Sequence, residues 1–174
     1  MNLKLVTNIG GSYNSVARMI INYMVNESGI KEIFATKVSR LASSDISALI
    51  EVDGNYVGFV NLLKEYTKNM LFVDIGILEQ YRGNGYAKAA LEYIKDLDIK
   101  EYIMLETKSS NEAASTLASN AGCLVYQHDD RNFYLLRKEL KDEFVSSDDY
   151  DDLKDHCENY GSRIHKKSIF DGCY

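Results

Sequence analysis

The sequence predicts a mixed α/β fold with a central sheet of about seven strands and four helices. Three observations support this prediction. Two β-rich runs surround Asp53-Gly54-Asn55, a turn sequence typical of a β-hairpin. Residues 71–107 consist of an apolar strand, a helical stretch and a second strand, which indicates a right-handed crossover between parallel strands. Two runs that begin at Cys123 and Asn132 then close the fold near residue 140 as an antiparallel pair.

The region before the hairpin is predicted to form one strand and two helices. Residues 3–6 form the short strand. Asn14 and Ser15 provide a helix cap, and apolar residues follow them at helical spacing, namely Val16, Met19, Ile20 and Tyr23. A second, weaker helical stretch covers residues 37–43.

The crossover unit has well-defined apolar faces. One face of its first strand consists of Leu71, Val73, Ile75 and Ile77. The helix that follows has a stripe at i, i+3, i+4 and i+7, formed by Ala87, Ala90, Leu91 and Ile94. After the second strand, Asn111 opens another helix that Gly122 is expected to stop. The inner face of that helix consists of Ala114, Leu117, Ala118 and Ala121.

The segment after residue 140 differs in charge, so we divide the chain into a domain (1–140) and an extension (141–174). Nine acidic residues and three lysines lie between Lys138 and Glu158, and the difference equals the net charge of the whole chain, −6. Such a composition fits a solvated, disordered tail. It also fits an ordered helix, and the apolar pattern of the segment favours the helix.

The predicted helix of the extension has a start, an apolar stripe and an end. Ser147 can cap it, and the acidic residues of its first turn lie where the helix dipole favours anions. Gly161 can end it. Its stripe consists of Tyr150, Leu153, Cys157 and Tyr160. We expect this stripe to dock on the domain or to form a homodimer with a second copy.

The composition excludes several classes of protein. A net charge of −6 over 174 residues argues against a nucleic-acid binder. No apolar run approaches the roughly 20 residues of a membrane helix, and the N-terminus lacks the apolar core of a signal peptide. Three scattered cysteines do not make a disulfide framework, so we expect a cytoplasmic protein. No metal is predicted, because no compact ligand spacing occurs among His156, Cys157, His165 and Cys173.

The sequence Gln-Tyr-Arg-Gly-Asn-Gly-Tyr-Ala, residues 80–87, joins the first crossover strand to its helix. The first backbone N–H groups of a helix are unpaired, and the helix dipole favours an anion beside them. Gly83 and Gly85 permit unusual backbone dihedrals and let a phosphate approach without a Cβ in the way. Arg82 and Lys88 add positive charge. The simplest alternative is a glycine-rich helix entry that binds no ligand.

Two common phosphate loops do not match this stretch. A Walker loop ends in Gly-Lys-Ser/Thr, which is missing, and a dinucleotide loop has a third glycine where this chain has Lys88. Gln80-x-x-Gly83-x-Gly85 resembles instead the signature of the GNAT superfamily of N-acetyltransferases. The resemblance extends over residues 1–140 in strand and helix order and is specific in residues 71–123.

The resemblance implies a GNAT fold whose sheet is splayed between its fourth and fifth strands, and it implies acetyl-CoA as the acyl donor. Backbone groups of Ile77 and Leu78 would pair with the pantetheine arm, where the fourth strand of the family bulges away from the fifth. Asn111 would lie beside that arm. Backbone N–H groups would hold the pyrophosphate, at Arg82, Gly83, Asn84, Gly85, Tyr86 and Ala87.

Two carboxylates are candidates for the chemistry. Glu106 ends an apolar strand and lies five residues before Asn111, a spacing at which some protein N-terminal acetyltransferases of the superfamily have a base that acts through water. Asp74 interrupts an apolar strand, where an acid is costly unless it is paired, solvated or used. The alternatives are a strand-end residue in solvent for Glu106 and an edge-facing or lysine-paired carboxylate for Asp74.

One position departs from the family pattern. Many members have a tyrosine on the helix after Asn111 that protonates the leaving thiolate, and here alignment on Asn111 and Gly122 places Ala118 there. Tyr126, Tyr134 or water could replace it.

The sequence therefore predicts transfer of acetyl from acetyl-CoA to a primary amine of an unidentified small molecule or protein. The acidic residues of the extension favour a cationic acceptor. A catalytically silent acyl-CoA sensor or scaffold with the same fold is the alternative. A dinucleotide-binding oxidoreductase is a third alternative.

Overall fold

The computed structural model describes residues 2–7 and 46–160. The two helices predicted near residues 15–23 and 37–43 lie outside these residues, as do Gly161, His165 and Cys173. Within the described residues, the strands and helices follow one another in the predicted order.

Seven strands form one mixed sheet in the order β1-β2-β3-β4-β5-β7-β6, which confirms the predicted fold class. The strands are β1 (Leu3–Thr7), β2 (Ile46–Val52), β3 (Asn55–Lys64), β4 (Met70–Ile77), β5 (Tyr102–Lys108), β6 (Cys123–His128) and β7 (Arg131–Leu135). The predicted hairpin joins β2 to β3 through Asp53 and Gly54. Their φ angles, 49° and 84°, are both positive, as a type I′ turn requires.

The predicted parallel pairing of β4 with β5 is confirmed but short. It covers Met70–Phe72 against Tyr102–Met104, and beyond it the two strands separate while β5 continues to pair with β7. The predicted splay is therefore present. The pairing of β4 with β3 continues through this region, and its register runs without a shift from Leu71 to Ile77. The separation is therefore between β4 and β5 alone.

Two helices cover one face of the sheet, which we call the α1/α2 face. Helix α1 (Tyr86–Lys95) buries Ala90, Leu91 and Ile94, and helix α2 (Glu112–Ala121) buries Ala114, Ala118 and Ala121. All of these residues except Ala114 pack in one cluster with the β4 face that the sequence predicts, formed by Leu71, Val73, Ile75 and Ile77.

Gly122 follows α2 as predicted, but for a different physical reason. Its φ is −133°, which any residue adopts, so it is not a left-handed helix cap. A Cβ at this position would lie 2.5 Å from Leu135 O. Glycine is needed here because the chain passes directly against β7.

The extension contributes helices α3 (Lys141–Val145) and α4 (Asp148–Tyr160) to the opposite face, which we call the α4 face. Their buried side chains, Phe144, Leu153 and Cys157, pack with Met70, Phe72, Met104, Phe133 and Leu135 of the sheet. The predicted docking on the domain is thus observed. Ser147 caps α4, because its Oγ accepts a hydrogen bond from Tyr150 N at 3.4 Å.

Tyr160 differs from its predicted place on the stripe. It is 76% exposed, and its ring lies beside His156 instead of the sheet. None of the helices in the described part of the chain is both long and apolar enough to cross a membrane.

Candidate active site

The glycine loop follows β4 and enters α1 through a single 3-10 turn, Glu79–Tyr81. Gly83 and Gly85 both have positive φ angles, 78° and 77°. A Cβ at either position would meet no atom within 4 Å, so packing does not require glycine here. The backbone conformation requires it, and the space in front of the loop stays accessible to a ligand.

A row of backbone N–H groups lies along this loop. Arg82 N donates to Glu79 O, and the first helical bond of α1 runs from Ala89 N to Gly85 O. Between them, the N–H groups from Gly83 to Ala87 donate no hydrogen bond within the described residues. The first turn of α1 contains no acidic side chain. This geometry favours an anion at the helix N-terminus.

Two side chains hold the loop in this shape. Asn84 Nδ2 donates to Tyr81 O at 3.1 Å and to Arg82 O at 3.2 Å. Arg82 Nε donates to Ile77 O at 3.0 Å, which fixes the guanidinium across the end of β4. Arg82 therefore adds its positive charge at the junction of β4 and the loop.

The splay between β4 and β5 forms a cleft that leads to the glycine loop. Leu78 N donates to Val57 O, so the backbone of Leu78 faces β3. In an antiparallel pair, successive residues face the partner strand alternately. The backbone groups of Ile77, Ile75 and Val73 therefore face away from β3, toward the cleft. Leu78 O also accepts a bond, from Tyr81 N. Of the two positions expected to meet the pantetheine arm, Ile77 is thus the one whose backbone faces the cleft.

Asn111 lies where β5 leads into α2. Its Oδ1 accepts a hydrogen bond from Ala114 N at 3.1 Å, so the side chain is the N-cap of α2. Beside it, the hydroxyls of Thr107 and Ser115 lie 3.2 Å apart and tie the end of β5 to the helix.

Glu106 and Asp74 both lie on the α4 face, since they alternate with Met104 and Phe72 along their strands. They are 4% and 6% exposed. Glu106 is therefore not a solvated strand-end residue, and Asp74 lies on the central strand β4, not at a sheet edge. The two carboxylates belong to the strands that border the cleft.

Helix α4 brings a cysteine to the same region. Burial raises the pKa of the Cys157 thiol to about 12, and the negative charge of Glu106 adds to this rise. A hydrogen bond from Tyr66 acts in the opposite direction. The Tyr66 ring packs against Phe72, with centroids 5.2 Å apart, and against His156 on α4, at 4.8 Å.

Sequence reasoning missed several polar residues of the α4 face. Asn61 on β3 is 2% exposed and lies directly opposite Asp74. Arg131 on β7 is 4% exposed and lies on the same face as Glu106, two residues from Phe133, which pairs with Glu106. A polar residue inside an apolar strand was the signal that identified Asp74, and the same signal was available for Asn61.

The position of the expected tyrosine is buried. Ala118 is 1% exposed and packs in the α1/α2 cluster together with Tyr134, whereas Tyr126 packs on the opposite face against Phe133. Of the two tyrosines considered, Tyr134 thus shares the side of the sheet with Ala118. Within the described ranges, no group of three His, Cys, Asp or Glu side chains could hold a metal ion.

Comparison with known proteins gives a consistent result. A family model described as the acetyltransferase (GNAT) family matches residues 17–122. The N-acetyltransferase PseH of Campylobacter jejuni, solved in complex with acetyl coenzyme A, has a TM-score of 0.56 at 13% identity, over 78% of this chain and 98% of that one. A mutant of the spermidine N-acetyltransferase SpeG of Vibrio cholerae has a TM-score of 0.58 at 16% identity, over 81% and 97%. A search of curated proteins found no match.

Proposed function

The chain belongs to the acetyltransferase (GNAT) family, and from this premise we propose that it transfers acetyl from acetyl-CoA to a primary amine. The observation that supports this proposal best is the row of N–H groups from Gly83 to Ala87, which donate to no acceptor in residues 2–7 and 46–160 and lie at the mouth of the splayed cleft. This arrangement suits a long donor whose pyrophosphate binds at the loop and whose arm lies between β4 and β5.

Attack by the amine requires a base. An alkyl ammonium has a pKa of roughly 10 and must lose a proton before its nitrogen can attack the thioester carbonyl. We assign this proton to Glu106, directly or through water, because Glu106 is buried on a strand that borders the cleft. Asp74, on the facing strand, binds the amine or takes the proton in its place.

The remaining steps need less from the protein. The carbonyl oxygen gains negative charge as the C–N bond forms, and the cleft-facing N–H groups of β4 are suited to stabilise it. The C–S bond then breaks, and the thiolate leaves with its electron pair. A thiol with a pKa of roughly 8.5 is a fair leaving group, so water can supply its proton where Ala118 replaces a tyrosine.

The proposal is tested with two isosteric variants, Glu106→Gln and Asp74→Asn. Thiol release from acetyl-CoA is measured over a panel of primary amines, and acetyl-CoA affinity is measured by calorimetry. We expect Glu106→Gln to lower the rate about 10²- to 10⁴-fold, as loss of a general base does, with affinity unchanged. Glu92→Gln, a partly exposed site on α1, is the matched control. Wild-type rates in both carboxylate variants would refute the assignment of the base.

A catalytically silent acyl-CoA sensor or scaffold is the second candidate, and Ala118 is the observation that favours it. This candidate requires binding of acetyl-CoA without thiol release for any amine. Thiol release with one amine excludes it.

The acceptor is proposed to be cationic, since the chain has a net charge of −6 and acids line the α4 face. Spermidine belongs in the amine panel because SpeG, one of the similar structures, acts on it.

We further propose a cytoplasmic location and a homodimer that uses the exposed end of α4 near Tyr160. Sedimentation of the wild type and Tyr160→Asp tests the dimer.

A further inference from the structure

Asn61 on β3 is a buried amide in the middle of the sheet. Its side chain is 2% exposed, and Oδ1 has no hydrogen-bond partner among the described residues. Leaving a buried carbonyl unsatisfied lowers stability, and an apolar residue of similar size would remove that cost. The position lies in the middle of β3, between residues that bury apolar side chains. Packing therefore does not explain why an amide stands here.

The register of the sheet places Asn61 beside a candidate functional residue. Asn61 pairs directly with Asp74 across β3 and β4, so both side chains lie on the α4 face. The Cβ atoms of such a pair are about 5 Å apart. On the loop side, the Phe59 ring covers Gly76 so closely that a Cβ there would lie 2.4 Å from it. An amide oxygen and a carboxylate thus stand side by side, next to an aromatic wall.

We propose that Asn61 Oδ1 and the Asp74 carboxylate together bind the protonated amine of the acceptor. A primary ammonium has three N–H donors, which a carboxylate and an amide carbonyl can accept without a second negative charge. Asn61 is then a specificity-determining residue that selects primary over more substituted amines. Glu106 remains the base that removes the proton before attack. This inference rests on the proposed function and names its acceptor class.

The test uses Asn61→Leu, which keeps the approximate volume and removes the oxygen. We expect the KM for the amine to rise at least tenfold, with kcat changed less than threefold and acetyl-CoA affinity unchanged. The Tm should stay equal or rise, because the unsatisfied amide is removed. Asn132→Leu is the comparison for stability. Asn132 is also buried, but its Oδ1 accepts a hydrogen bond from Gln127 Nε2 at 2.7 Å, so the Tm of the Asn132→Leu variant should fall.

A second measurement keeps the inference testable if Asn61→Leu does not fold. Wild-type protein with bound CoA is titrated by calorimetry with a primary alkylamine and its N,N-dimethyl derivative, both protonated at neutral pH. The tertiary ammonium has one N–H donor and should bind at least tenfold more weakly. Equal affinity for the two amines, or an unchanged amine KM in Asn61→Leu, would overturn the inference.

The outcomes also separate this inference from the proposed function. If the wild type transfers acetyl and Asn61→Leu has the same KM for the amine, the proposed function is supported and the role of Asn61 is excluded. If the wild type binds the amine saturably but does not transfer acetyl, and Asn61→Leu abolishes that binding, the role of Asn61 is supported and the proposed enzyme activity is excluded. Neither transfer nor binding with any primary amine contradicts both.

Discussion

Cys157, on the helix of the acidic extension, and Glu106, on β5, are buried on the same face of the sheet, and the charge of Glu106 contributes to the raised pKa of the Cys157 thiol. Both residues are almost fully buried, at 1% and 4% exposure. The extension is therefore not an independent tail, because its helix forms part of the surroundings of a candidate base. Any change that displaces α4 should also change the environment of Glu106.

The first prediction concerns the stability of the protein at high pH. Burial raises the pKa of Cys157 from its ordinary value to about 12, so the folded state retains a proton that the unfolded state loses near pH 9. Stability from this group is fully present below that pH and is lost as the pH rises toward 12. We expect the free energy of unfolding in urea to fall more steeply between pH 8.5 and 10.5 in the wild type than in Cys157→Ala.

Burial also raises the pKa values of Tyr102 and Cys123, but both residues are common to the two proteins and their effects cancel in the comparison. Burial raises the pKa of Tyr126 as well, and Cys157 adds to that rise, so this added part belongs to the effect of the thiol. Parallel pH curves for wild type and Cys157→Ala would show that the thiol does not stay buried and protonated.

The second prediction concerns the glycine loop. Gly83→Ala and Gly85→Ala place a Cβ on backbone with φ near 78°, which costs about 1–2 kcal/mol of stability each. We also expect acetyl-CoA affinity to fall at least tenfold, because the loop must shift and its N–H groups lose their alignment. Calorimetric titration with CoA measures this effect.

Gly54→Ala is the matched control for the loop variants. Gly54 has a φ of 84° and open space around its Cβ position, so its replacement carries the same backbone strain in the β2–β3 hairpin. Stability should fall equally, with CoA affinity unchanged. If all three variants bind CoA like the wild type, the loop is a structural helix entry and not a phosphate site.

The third prediction separates two roles of Asn111. Asn111→Ala removes the N-cap of α2 and should cost about 1 kcal/mol, as Ser147→Ala should at the start of α4. Asn111→Asp keeps the cap, since an aspartate accepts the same bond from Ala114 N. If Asn111 also contacts the donor, Asn111→Asp weakens CoA binding while the Tm stays within about 2 °C of wild type. Normal CoA affinity in Asn111→Asp would mean that Asn111 caps α2 and does not contact the donor.

The local features of this protein could be predicted from sequence, and the long-range ones could not. Positive φ is a property of single residues, so Gly54, Gly83 and Gly85 identify the hairpin and the loop directly. The pairing of Asn61 with Asp74 depends on the register of two strands, and the approach of Cys157 to Glu106 depends on how α4 docks. No local pattern contains that information. For the same reason Gly122 was expected as a helix cap, although its contact with Leu135 is what requires glycine.

The last prediction tests whether docking of the extension supports the site. Leu153 is completely buried between α4 and the sheet, so Leu153→Ala should cost about 2–5 kcal/mol of stability through lost contacts and a cavity. Asp152→Ala, on the same helix but at an exposed position, should change stability by less than about 0.5 kcal/mol. Because α4 packs on the sheet face that carries Glu106, whereas the glycine loop leads into α1 on the other face, Leu153→Ala should lower kcat for acetyl transfer while CoA affinity stays normal. A stability loss without any change in kcat would mean that α4 supports the fold and not the chemistry.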